Sequence, residues 1–88
     1  MRFLMSGNLL RFSNFQNEID VNAPTIVEGL AKLCADCPLL EPVLFDGAGS
    51  LRQVHRLFLN GDALDRGDLD RAVSGGDELT ILTAIAGG

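Results

Sequence analysis

Apolar and polar residues first alternate along this chain, then cycle with a longer period, then alternate again. Residues 2–7 read as a strand, with Phe3 and Met5 on one face and Arg2, Leu4 and Ser6 on the other. Gly7-Asn8 interrupts it, and Arg11-Phe12-Ser13-Asn14 reads as a connecting loop. Residues 16–21 alternate once more, Ile19 and Val21 against Glu18 and Asp20, which predicts a hairpin with a loop of several residues. From Pro24-Thr25 the period changes. Ile26, Leu30, Leu33, Cys34 and Cys37 follow at i, i+4, i+7, i+8 and i+11, one apolar stripe, with Glu28, Lys32 and Asp36 opposite. Thr25 and Glu28 have the spacing of a capping box, and Pro38 stops the helix. Gly29 inside it costs about 1 kcal/mol relative to Ala, which close packing against a strand would explain.

Residues 39–53 read as a loop, broken by Pro42, Gly47, Gly49 and Ser50 and anchored by Leu39, Leu40, Val43, Leu44 and Phe45. Residues 54–60 are a strand, Asn60-Gly61 a tight turn, and a short strand around Ala63-Leu64 is expected after it. Gly75-Gly76-Asp77 turns the chain into a last strand over 78–84. Alternation places Leu57, Leu59, Leu79 and Ile81 inward, and Arg56, Phe58, Thr80 and Leu82 outward. If these two strands are neighbours, Phe58 and Leu82 make an exposed apolar patch near the root of the C-terminal residues. One striped helix beside half-buried strands predicts an α+β domain with the helix packed across one sheet; an arrangement with the first and last strands side by side in its middle is compatible with the pattern but not fixed by it.

Composition narrows the function. With 88 residues there is one small core and little room for a buried catalytic cleft. A net charge of −5 argues against nucleic acid, whose phosphates call for clustered Lys and Arg, and suits a partner with a basic docking face. The apolar run at the N-terminus is too short for a signal peptide, and nothing approaches the run of about 20 apolar residues that spans a bilayer, so cytoplasmic residence is expected. Cys34 and Cys37 form a C-x-x-C. Lacking a second pair, and with His55 the only histidine, it is read as structural and not as a zinc site. Its place inside a helix, away from the N-terminal end that lowers a thiol pKa, argues against a redox pair. His55, beside inward Leu57, reads as packed or turn-adjacent and not as catalytic. Asp65, Asp68 and Asp70, interleaved with Arg66 and Arg71, read as a solvated connection and not as a metal site.

The segment Gly76-Asp77-Glu78-Leu79-Thr80-Ile81-Leu82-Thr83-Ala84-Ile85-Ala86-Gly87-Gly88 resembles the end of MoaD/ThiS-type sulfur carriers, ubiquitin-like proteins of the β-grasp fold. The resemblance extends through Val54-His55-Arg56-Leu57-Phe58-Leu59-Asn60-Gly61-Asp62, and the element order agrees over essentially the whole chain. Length and the His55-Arg56 region resemble the MoaD and cysteine-biosynthesis carriers more than the ThiS branch. Thr83 stands where the family often has Pro. The resemblance implies a mixed sheet of about four to five strands with one main helix, a β-grasp domain over 1–85 and a flexible tail over 86–88.

It also implies a mechanism. An E1-like adenylyltransferase of the MoeB/ThiF type would use ATP to adenylate the carboxylate of Gly88, and a persulfide or sulfide would displace AMP to leave a thiocarboxylate. A sulfur-accepting synthase would then take the sulfur, in molybdopterin or cysteine-type biosynthesis. Ala86 and Gly87 would thread the partner's channel, glycine reaching backbone conformations closed to other residues. Arg56, Phe58 and Leu82 would dock the partner. The chain would bind no cofactor of its own and catalyse nothing. The alternative is a protein modifier joined through Gly88 to target lysines. Lys32, the only lysine, leaves one side-chain site for modifier-on-modifier chains. A third form is a small subunit whose tail stays seated in a synthase.

Overall fold

The computed structural model describes residues 1–83. Five strands, β1 (Arg2–Met5), β2 (Glu18–Asp20), β3 (His55–Leu59), β4 (Asp62–Ala63) and β5 (Glu78–Thr83), form one mixed sheet in the order β2-β1-β5-β3-β4. The helix α1 (Ile26–Asp36) packs across it, and a single-turn helix, α2 (Glu41–Leu44), follows. The first and last strands are central neighbours and run parallel, from Arg2 beside Glu78 to Met5 beside Ile81. All other pairings are antiparallel. This is the expected β-grasp arrangement.

Alternation and burial agree. Phe3, Met5, Ile19, Leu57, Leu59, Leu79 and Ile81 lie buried on the inner face of the sheet. Against them α1 sets Ile26, Leu30, Leu33 and Cys34, also buried, with Cys37 at its C-cap. Only half of the capping box forms: the Thr25 hydroxyl accepts from the Glu28 amide at 3.3 Å. The two amides before it find partners elsewhere. Ile26 N–H donates to the Arg71 carbonyl at 3.2 Å and Val27 N–H to that of Leu69 at 2.7 Å. The helix start is thus satisfied by a distant segment, which also fixes where that segment runs.

Three elements differ from the sequence reading. Residues 7–12, expected as a break and the start of a loop, form a 3-10 helix that buries Leu9. The stretch expected as loop over 39–53 opens with a 3-10 turn, Pro38–Leu40, continues as α2, and buries Leu40 and Leu44. Both prolines, Pro38 and Pro42, sit in first-turn positions, where a missing N–H costs nothing, so they start helical turns instead of preventing them. The short strand is Asp62–Ala63 and not Ala63-Leu64. Asn60 and Gly61, at φ of 52° and 88°, make a two-residue turn that pairs Leu59 directly with Asp62.

Gly29 is explained by contact. A Cβ built there would overlap the terminal methyl of Met1 and lie 3.4 Å from the Phe3 ring. Both cysteines are buried and unpaired with each other. Burial pushes the Cys34 thiol up to about 11, and Cys37 is raised by the same cause. No helix among the described residues is long and apolar enough to cross a membrane.

Two outcomes test this packing. Gly29→Val adds helix propensity but drives branched methyls into Met1 and Phe3, so urea denaturation should show a loss of about 1–3 kcal/mol; unchanged stability would contradict the contact. For Cys34 the folded-state pKa is raised, so its contribution is complete below the ordinary value of 9.0 and is lost as the pH climbs towards about 11. Wild type should lose stability over that window more steeply than Cys34→Ala. Parallel profiles would show that the thiol titrates as freely folded as unfolded.

Candidate functional site

The outward face of the sheet opens beside the end of β5. Register sets Leu4, Thr80, Phe58 and Ala63 in one row across β1, β5, β3 and β4. One row nearer the end of β5, Leu82 lies opposite Arg56. Leu82 is 44% exposed, Phe58 half-buried and Arg56 exposed. All three predicted docking residues therefore share one face, with Phe58 and Leu82 diagonal neighbours across the β3–β5 pair. The Arg56 guanidinium donates to the Gln53 carbonyl at 2.6 Å, which holds its charge at the rim of the apolar patch. At the opposite end of the sheet the same face carries Asp20, Arg2 and Glu78, with Arg2 3.2 Å from Asp20 and 3.9 Å from Glu78.

The inner side at the same end of β5 is closed by His55. Its ring is buried, with Nε2 2.8 Å from the Val43 carbonyl and Nδ1 3.0 Å from the Thr83 hydroxyl. Packing was expected of this residue, but its two partners were not. They lie 12 and 28 positions away, on α2 and β5, and no local pattern reports them.

Three other groups gain structural roles that the sequence did not reveal. The Arg66 guanidinium reaches the carbonyls of Leu51 at 2.6 Å and Arg52 at 2.8 Å, anchoring the chain that leads into β3. Asp65 and Asp68 cap each other's amides in a 3-10 turn over Arg66–Asp68. The interleaved run is thus a built turn as well as a solvated connection. Asp77 accepts from the Asn60 side chain at 3.0 Å and from the Ser74 amide at 2.8 Å, and these bonds hold its carboxyl below the usual range. They tie the Asn60-Gly61 turn to the start of β5.

A separate open groove of about 830 Å³ runs between α1 and the 38–52 segment, lined by Val27, Ala31, Pro42 and Phe45 among others. Among the described residues no group of three or more His, Cys, Asp or Glu is placed to hold a metal ion. Ala86, Gly87 and Gly88, and the expected domain boundary after residue 85, lie outside the described residues.

Comparison with known proteins completes the picture. The sequence matches the ThiS family over residues 9–88. No curated protein matches it. Among solved structures, SAMP1 of Haloferax volcanii is 26% identical with a TM-score of 0.82, covering 99% of this chain and 97% of that one. A chain of the Amycolatopsis orientalis BexX/CysO complex is 22% identical with a TM-score of 0.85, covering 99% and 98%. The small archaeal modifier protein 1 of Methanosarcina acetivorans is 20% identical with a TM-score of 0.85, covering 99% and 94%. The latter two likenesses establish the shared fold.

Proposed function

The chain belongs to the ThiS family, and from that premise we propose that it is a sulfur carrier that works through the carboxylate of Gly88. The observation that carries this reading is the reach of the family match, which continues through Gly87-Gly88 itself. A carboxylate is a poor electrophile, so an E1-like adenylyltransferase of the MoeB/ThiF type joins Gly88 to AMP at the expense of ATP. A sulfur nucleophile displaces AMP, and the resulting thiocarboxylate supplies a synthase in cofactor or metabolite biosynthesis, of the molybdopterin or cysteine type. The carrier contributes reach and recognition, and the partners contribute the catalytic groups and the ATP site. ATP-dependent activation places this work in the cytoplasm.

Recognition falls to the face beside β5. Leu82 and Phe58 offer apolar area and Arg56 a charge at its edge, the composition that marks interaction surfaces. Their position is the useful feature: only four residues lie between Thr83 and Gly88, so a partner seated on this face has the terminus within reach.

A second reading is supported by the likeness to SAMP1 at 26% identity over nearly the whole of both chains. On that reading Gly88 forms isopeptide bonds with target lysines. The two share the adenylate and diverge at the nucleophile.

Incubation with an E1-like partner, ATP and sulfide, followed by intact mass measurement, should show one oxygen replaced by sulfur. Deletion of Gly88 should abolish the change. Absence of the shift with each candidate partner, or its persistence in the deletion variant, would rule against the carrier. Phe58→Asp and Leu82→Asp should fold normally by circular dichroism and raise the KM of the carrier in adenylation by about tenfold or more, as expected for apolar contacts buried at an interface. Unchanged adenylation kinetics in both would remove these residues from the docking face.

A further inference from the structure

The His55 ring joins three elements, β3, α2 and β5, at Thr83, the last described residue of β5. His55 and Thr83 form the last register pair between β3 and β5, and both side chains point to the inner layer, as do those of Leu57 and Ile81. The ring lies between the Thr83 hydroxyl, 3.0 Å from Nδ1, and the Val43 carbonyl, 2.8 Å from Nε2. A carbonyl oxygen only accepts, so Nε2 carries the proton. In the neutral ring Nδ1 is then an acceptor, and the Thr83 hydroxyl donates to it. Among the described residues no buried side-chain nitrogen or oxygen lacks a partner, so neither ring atom is spare.

We infer that His55 is a positioning residue for the terminal glycine. By holding Thr83 against β3, it fixes the place in the sheet from which five further residues lead to Gly88. The inference rests on the reading that Gly88 is the activated group. Without the hydroxyl–imidazole bond the His55–Thr83 pair opens. More of the chain must then be fixed on each encounter, and every residue so ordered weakens binding. Once the terminus is seated, the chemistry is untouched. The defect therefore falls on KM and spares kcat. The Val43 bond has a different duty: it fixes the ring from behind, through α2, so that Nδ1 faces Thr83.

Side chains that copy one ring nitrogen each separate these duties. His55→Gln places an amide near Nε2 and keeps Val43 but loses Thr83. His55→Asn places one near Nδ1 and keeps Thr83 but leaves the Val43 carbonyl unpaired. In adenylation by an E1-like partner, Thr83→Val and His55→Gln should raise the KM of the carrier by about three- to tenfold, the worth of one hydrogen bond, with kcat unchanged. Thr83→Ser, which retains the hydroxyl, should restore the wild-type KM. His55→Asn should lower the melting temperature with a smaller change in KM. The double variant Thr83→Val/His55→Gln should be no worse than either single, because both break the same bond. In nitrogen NMR of the imidazole, the Nδ1 resonance should move in Thr83→Val and stay in Thr83→Ser. An unchanged KM in folded Thr83→Val, or equal impairment in Thr83→Ser, overturns the role of His55 while the carrier reading stands. Failure of the wild-type chain to be adenylated overturns the carrier reading itself, and this inference with it.

Discussion

The parallel pairing of β1 with β5 is the constraint on which the rest of this structure depends. Residues from opposite ends of the chain, Arg2 to Met5 and Glu78 to Ile81, meet at the centre of the sheet. Every other element lies in the interval that this contact closes. Surface charge does not hold it: Arg2 lies near Asp20 and Glu78 on the exposed face, and such pairs contribute about 0–1 kcal/mol. Burial does. Phe3, Met5, Leu79 and Ile81 are all removed from water beneath α1, each stabilising by about 1.5–3 kcal/mol. The central pair therefore exists because the helix covers it, and the stripe from Ile26 to Leu33 is as much a condition of the last strand as of the helix.

That geometry has a functional consequence. β5 lies in the middle of the sheet, paired with β1 from Glu78 to Ile81 and with β3 as far as Thr83, so its last two described residues are held from the β3 side alone. The outer face at that end offers Leu82, Phe58 and Arg56, and the inner side is closed by His55 on Thr83. On the proposed reading, recognition and positioning occupy opposite faces of one strand pair.

Much of this was legible in the sequence, and the limits follow a physical line. Features with a local period were readable: the stripe on α1, the inward residues of β3 and β5, and the Asn60-Gly61 turn. The hairpin strand β4 slipped by one residue only because the turn length had to be read together with the register. The helical turns from Pro38 to Leu44 were missed because two prolines and later glycines look like loop, and their first-turn placement is invisible without the backbone. The partners of His55 and Arg66 were missed for another reason: each bond joins residues 11 to 28 positions apart. Thr83 illustrates both sides. Its departure from the proline common in related carriers was visible in the sequence, while the buried imidazole that holds it became visible only in the fold.

On the proposed reading the chain is a vehicle that is loaded, emptied and recovered, and the most direct measurement follows the sulfur itself. Radiolabelled sulfide would be supplied with the chain, ATP, the E1-like partner and the sulfur-accepting synthase. Label should enter the chain only with ATP and leave in a small molecule, and the chain should return at its original 9.4 kDa mass. Label that never enters, with the chain accumulating instead in isopeptide adducts on protein lysines, would contradict the carrier and establish a modifier.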